Sequence, residues 1–335
     1  MFVTHFYKRH DDMNDIKYES AALVLLSGGS VVDGPSTSTC ASCGIAEVDE
    51  ITLEECTDCK LVRYCSDECR RGHMSHHEEA CQKRAAELRD ELLFEQPESS
   101  YLGDCPICML PMRDTLSIET TTIMMPCCSK VICRGCFSVN NKRLVEESLD
   151  RSCLFCRAPM LGWKEGDKQR MKRREINDPA AMTFEGLQQL VQGDYSSAFE
   201  WYTKAARLGD VVAHFALGLM YLDGLGVEED RRKKIHHLEE AAIGGHPDAR
   251  HILGCDEWDN GNTERAVKHW IIAASLGEDS SIKALMDVFK KEDEMISKED
   301  LAASLRAHHA AVDATKSLQR EAAAEITNRA RLNRY

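Results

Sequence analysis

From about residue 180 onward, apolar residues recur every three or four positions, in alanine-rich blocks: AFEWYTKAA, AHFALGLMY, ARHILG and AVKHWIIAA. That spacing puts one apolar stripe on each of several helices, and alanine on the stripe lets helices approach closely. The blocks also repeat. Ala-Ala-x-x-Gly steps fall at 205–209, 241–245 and 273–277, at intervals of 36 and 32 residues, and the longer interval carries an extra loop, YLDGLGVEEDRR. Such a period predicts an all-α solenoid of stacked helix pairs over 178–296, because one pair cannot bury its own apolar face. Trp201, Tyr202, Trp270 and Cys255 are expected in its core. Beyond it, Ser297-Lys-Glu-Asp reads as a helix cap with acids in the first turn. A run without Gly or Pro then predicts one long helix over 297–335, its first half capping the stack.

The front half lacks this periodicity. Residues 1–36 mix charges with SGGSVVDGPSTST and read as a flexible leader. QKRAAELRDELLF sets apolar residues at 85, 88 and 92 among charges, which predicts a helical spacer over 82–100 that lays one stripe on a neighbouring module. WKEGDKQRMKRR, within 161–177, is a basic run expected as a solvated linker or helix start. No apolar run approaches the roughly 18 residues that a membrane helix needs.

Cysteine changes the picture of this half. Of the sixteen cysteines, fifteen lie between 40 and 156, with Cys-x2-Cys pairs at 40/43, 56/59, 105/108, 133/136 and 153/156. Each pair sets two thiolates on one turn, as half of a tetrahedral zinc site requires. A disulfide framework would suit a secreted chain, but the opening MFVTHFYKRHDD is no signal peptide. A redox Cys-x2-Cys would occur once, inside a βαβ unit. With His77, four residues before Cys81, the ligands come to sixteen. They parse into four structural zinc ions, and only Cys255 is left over. His73 and His76 are nearby competitors for the histidine position. Every coordination position is filled by protein, so the metal is structural and no catalytic residue is expected at it.

Two resemblances follow from the spacings. Over 37–81, Cys40-x2-Cys43, Cys56-x2-Cys59, Tyr64-Cys65-x3-Cys69 and His77-x3-Cys81 resemble a MYND finger. The resemblance implies interleaved ligands, Cys40, Cys43, Cys65 and Cys69 for one ion and Cys56, Cys59, His77 and Cys81 for the other. It also implies a groove for proline-rich peptides. At two positions that line that groove, Arg70 and Met74 stand where the family often has Gln and Trp. Over 101–160, Cys105-Pro-Ile-Cys108, Cys127-Cys128, Cys133-x2-Cys136 and Cys153-x2-Cys156, with one short helix before the last pair, resemble a RING finger. That implies Cys105, Cys108, Cys133 and Cys136 on one ion, and Cys127, Cys128, Cys153 and Cys156 on the other. The adjacent Cys127-Cys128 replaces the usual Cys-x-His, and Lys130 occupies the histidine column. Both cysteines reach one ion only if the backbone bends; otherwise one is a spectator thiol. RING fingers present a charged ubiquitin-conjugating enzyme to a substrate without a nucleophile of their own. Here Ile107 and Leu154 correspond to the apolar contact positions, and Arg157, directly after the last ligand, to the basic residue that touches both ubiquitin and the enzyme. The third stretch, 178–296, resembles Sel-like repeats of the tetratricopeptide group, which hold partner proteins.

Charge narrows the partners. Asp plus Glu number 56 against 42 Lys plus Arg, a net charge of −14, which disfavours nucleic acid. The fold expected is therefore multidomain, two small zinc-stapled modules (MYND-like, and RING-like α+β) followed by an all-α helix-pair solenoid. The function expected is a ubiquitin ligase of RING type, a ubiquitin-protein transferase inside the cell, cytoplasmic or nuclear. Its MYND and repeat modules would hold protein substrates or peptide motifs. A non-catalytic zinc-finger scaffold is the alternative, and a transcriptional regulator a third class.

Overall fold

Five tight turns of one build organise the cysteine-rich part. The first residue of each donates its N–H to a carbonyl five or six positions on, and its own carbonyl accepts from the N–H four positions on. Cys40 pairs in this way with Ile45 and Gly44, Cys56 with Val62 and Lys60, Cys105 with Leu110 and Met109, Met125 with Lys130 and Ser129, and Cys153 with Ala158 and Arg157. The closing residue is left-handed each time: φ is 75° at Gly44, 55° at Lys60, 54° at Met109, 55° at Ser129 and 60° at Arg157. A side chain is strained there, so something beyond local propensity holds these turns.

The structure is a computed structural model that describes residues 39–48, 51–113, 121–160, 162–290 and 295–332; the expected leader lies outside them. The chain divides into two compact units, Met1–Leu92 and Leu93–Tyr335. In the first, strands β1 (Glu54–Glu55) and β2 (Arg63–Tyr64) pair antiparallel, and helix α1 (Asp67–Phe94) follows. Its core is little more than Cys40, Leu53, Cys56, Cys59, Tyr64 and Cys81. Arg63 braces it, donating to both carboxylate oxygens of Glu47 at 2.6 and 2.9 Å and to the Leu53 carbonyl at 2.8 Å. The separate spacer helix expected from Gln82 is not separate. His77 and Cys81 share one face at i and i+4, which needs an unbroken helix, and nothing after Cys81 interrupts it before Phe94.

The second unit opens with a hairpin of β3 (Thr122–Met124) and β4 (Val131–Cys133), then helix α2 (Arg134–Glu146), around buried Cys105, Met112, Met125, Ile132, Cys133, Cys136 and Cys153. The basic run expected as a solvated linker or helix start is helix α3 (Trp163–Glu175), and it is docked rather than solvated. Arg170 is buried with its guanidinium 4.6 Å over the Phe184 ring; Arg173 pairs with Asp178 and Arg174 with Glu185. Carboxylates downstream convert a solvated run into a packed one.

Helix pairs then stack: α4 (Pro179–Gln192) with α5 (Tyr195–Ala206), α6 (Val211–Asp223) with α7 (Arg231–Ile243), and α8 (Pro247–Asp259) with α9 (Thr263–Ser275). Asp178, Asp194, Asp210 and Asp230 cap four of these helices, each accepting from the N–H three residues on. Each pair closes over one glycine. A Cβ would meet the Tyr202 ring at 2.8 Å from Gly186, Leu238 at 2.8 Å from Gly218 and Trp270 at 2.5 Å from Gly254. Tyr202 and Trp270 are core residues as expected, while Trp201 and Cys255 are partly buried against it. Helices α10 (Asp279–Lys290) and α11 (Lys298–Ala314) close the stack.

The expected single tail helix is two. It breaks at 315–317, where Thr315 returns its hydroxyl to the Val312 carbonyl at 2.8 Å and the Ser317 hydroxyl accepts the Arg320 N–H at 3.3 Å. Helix α12 (Leu318–Leu332) then packs on α2. A Cβ at Gly135 would stand 2.9 Å from the Arg320 nitrogen, so glycine permits the approach.

Candidate functional site

Each turn closes on a second pair of ligands from elsewhere in the chain. The structure brings together Cys40, Cys43, Cys65 and Cys69; Cys56, Cys59, His77 and Cys81; Cys105, Cys108, Cys133 and Cys136; and Cys127, Cys128, Cys153 and Cys156, with the ligand atoms of each group within 4.8 Å of one another. Sulfurs about 2.3 Å from one tetrahedral zinc stand about 3.8 Å apart. The separations match that edge: 3.5 Å for Cys43–Cys65, 3.6 Å for Cys65–Cys69, 3.7 Å for Cys56–Cys81, and 3.8 Å for both Cys108–Cys133 and Cys128–Cys153. His77 turns Nε2 to within 3.2 Å of the Cys59 sulfur. Its competitors are engaged elsewhere or exposed, since His73 bonds the Tyr64 hydroxyl at 3.1 Å and His76 faces outward. The donor sets and spacings fit four structural zinc ions.

Cys127 and Cys128 meet one group because the turn they sit in starts at Met125. Cys128 takes the fourth position, which the second cysteine takes in the other turns, and buried Met125 replaces the first cysteine. Cys127 reaches the same centre from the third position, its sulfur 3.3 Å from that of Cys156. The bend needed for two adjacent ligands is thus the turn itself.

Electrostatics suit metal binding. Burial pushes Cys40 up, but the N–H groups of Cys43, Cys65 and Ser42 outweigh it and bring the thiol down to about 6. Sulfurs crowded beside Cys65, those of Cys43 and Cys69 foremost, push it up to about 12, and burial beside Cys56 and Cys59 does the same to Cys81. A cluster whose thiols resist simultaneous ionisation is one that a divalent cation neutralises. Around the third group the Cys133 N–H donates to the Cys105 sulfur at 3.4 Å, and the Cys136 N–H to the Cys133 sulfur at 3.4 Å. Arg320, on α12, donates to the Cys108 sulfur at 3.3 Å and to the Leu110 and Pro111 carbonyls at 3.0 and 2.6 Å. Burial opposes it, yet the Leu110 N–H and this guanidinium bring Cys108 down to about 7. Four thiolates on one zinc leave two negative charges, so a cation beside them is favourable. Nothing in the sequence pointed to Arg320, which lies 212 residues from Cys108.

The residues named for contact with a conjugating enzyme lie on two of the turns. Ile107 is 42% exposed, Leu154 packs half-buried against the module core, and Arg157 is exposed at the left-handed closing position. In the first module, Arg70 and Met74 line a depression of about 330 Å³ with Cys56, Thr57, Asp58 and Arg71. Among the described residues no helix is long and apolar enough to cross a membrane.

Two family models match the chain. Residues 40–81 match the MYND finger, and residues 180–210, 211–246 and 259–278 match the Sel1 repeat. An uncharacterized protein of Neisseria meningitidis serogroup B is 35% identical over 94 residues, 27% of this chain and 20% of that protein, so the chain spans about a fifth of the relative it matches. Among solved structures, a Sel1 repeat protein from Oxalobacter formigenes is 19% identical with a TM-score of 0.39, over 54% of this chain and 73% of that one. A protective antigen of uropathogenic Escherichia coli with an SLR fold is 21% identical with a TM-score of 0.35, over 50% and 36%. The chain carries a MYND finger and Sel1 repeats, and the module between them holds two further four-cysteine groups.

Proposed function

We propose that this scaffold of zinc modules and Sel1 repeats is a ubiquitin ligase, its RING-like module engaging a charged ubiquitin-conjugating enzyme while the other modules hold substrate. The observation that carries the reading is the presentation of Ile107 and Arg157. Both stand exposed on turns held by zinc ligands, one apolar and one a planar cation with five donors, able to bridge carbonyl-rich surfaces. Half-buried Leu154 extends the apolar part. A second reading, a non-catalytic adaptor, is favoured by helix α12, whose Arg320 grips Cys108 and Leu110 of the turn that carries Ile107, and Pro111 just after it.

Ubiquitin discharge from a panel of charged conjugating enzymes separates the two. Wild type should accelerate discharge. Ile107→Ala should weaken enzyme binding, and Arg157→Ala should slow discharge with binding nearly intact; both should keep their zinc. If wild type is no faster than Cys133→Ser across the panel, the ligase reading fails and the adaptor takes its place.

A further inference from the structure

The end of α1 and the chain after it lie in a seat on the repeats. Leu93 is 1% exposed among Leu238, Ala241, Ala242, Ala249 and Leu253. Phe94 packs on the His269 ring with centroids 4.7 Å apart, and the Arg265 guanidinium and Lys268 ammonium lie 4.8 and 5.9 Å from its centre. Fully buried Arg250 donates to the main-chain carbonyls of Leu93 and Glu95. Further on, the Ser275 hydroxyl donates to Gln96 at 3.1 Å, and the Tyr101 N–H to the Gly245 carbonyl at 3.2 Å. The Tyr101 ring stacks on His246, which Phe215 backs from 4.0 Å. Gly245 must be glycine there: φ is 86°, and a Cβ would stand 3.0 Å from the Ser99 carbonyl. This is the contact pattern of a bound peptide, with side-chain anchors at two ends and main-chain carbonyls read between them.

The fit is incomplete in a telling way. Among the described residues, Nε of Arg250, Nδ1 of His246 and both ring nitrogens of His269 are buried without a hydrogen-bond partner. Among the described residues Arg250 meets carbonyls, a weaker match for a buried guanidinium than a carboxylate. Beside Leu93 the seat continues as a cavity of about 530 Å³, whose charged lining is mixed, Arg231 and Arg232 with Glu239, Asp256 and Glu257.

We propose that residues 93–101 are a displaceable built-in ligand, and that the same seat takes an acidic partner peptide of like chemistry. That peptide is a helix ending in a Leu-Phe pair, followed by an extended acidic stretch and a tyrosine. Arg250, whose partners among the described residues are carbonyls, is the group that selects for an acid; Arg265 and Lys268 are already paired with Glu257 and Glu264 of the repeats, at 2.7 and 2.6 Å. The inference goes beyond the ligase reading and holds with or without ubiquitin transfer. Tethering gives the built-in segment an effective concentration of order mM, so the seat is closed to weak partners until that segment leaves.

The test uses the full zinc-loaded chain and a fluorescein-labelled peptide of residues 84–102. The double variant Leu93→Ala, Phe94→Ala should bind the peptide at least tenfold more tightly than wild type, and adding Arg250→Met should abolish the gain. A folded double variant that binds no better than wild type overturns the proposal. Hydrogen exchange on wild type keeps the test decisive if the variant fails to fold. Excess unlabelled peptide should speed exchange of the Tyr101 amide while leaving the repeat helices unchanged. An amide as protected with peptide as without it also overturns the proposal. Neither outcome bears on ubiquitin discharge, so the two readings fail separately.

Discussion

Acid should unfold the repeats, through two histidines that no carboxylate rescues fully. His246 is 2% exposed and His269 is wholly buried. Burial lowers His246 to about 3, and burial, aided by the charges of Arg250 and Arg265, lowers His269 to about 3. An unfolded histidine titrates near 6.5. Both folded values are depressed, so the stability that neutral rings contribute is complete above about pH 6.5 and lost progressively toward pH 3. One pH unit is worth about 1.4 kcal/mol per group, so at pH 5 each costs about 2 kcal/mol and the two about 4. His246 is the smaller of the two, since Asp248 stands 3.8 Å away and partly compensates a charged ring. His237, lowered to about 4, adds in the same direction, and Asp210, raised by burial, opposes. In a unit of this size about 4 kcal/mol lowers Tm by about 8–16 °C. Three of the four tryptophans, Trp201, Trp258 and Trp270, lie in the repeats, so fluorescence follows mainly the repeats, and a zinc dye follows the cysteine modules in the same tube. His246→Leu with His269→Leu should remove most of the drop between pH 7 and pH 5. If the double variant loses as much Tm as wild type with zinc still bound, histidine burial is not the cause.

Elemental analysis of zinc-replete protein should find close to four ions per chain; two or fewer would break the four-centre assignment. Chelation should collapse the modules, which have little core without metal, yet leave a cooperative tryptophan-reported melt of the repeats. Gly254→Ala adds helix propensity but drives a methyl against Trp270, whose Nε1 donates to the His251 carbonyl at 3.3 Å, so overpacking of about 1–3 kcal/mol should lower the urea midpoint. Arg320→Ala removes donors to a thiolate and two carbonyls and should speed zinc release to a chelator while leaving stoichiometry at four; an unchanged rate would show that the guanidinium does not support the site.

What this sequence determined by itself was local chemistry. Four of the five Cys-x2-Cys pairs build their own turns from hydrogen bonds within six residues, and His77 with Cys81 shares one helical face by spacing alone. Ligand types and number were therefore legible, and so was the stack of helix pairs, because a period of 36 or 32 residues is written in the chain. Tertiary structure decided what depends on contacts across long loops. The arginines of α3 become packed rather than solvated only because Asp178, Phe184 and Glu185 meet them. The break at 315–317 matters only because α2 offers Gly135 to the helix beyond it. Residues 93–101 look like a spacer until Arg250, 157 residues from Leu93, closes over them. No periodicity encodes such meetings. They pair surfaces that are each unremarkable alone, and folding brings them together when burial outweighs the entropy of closing the loop.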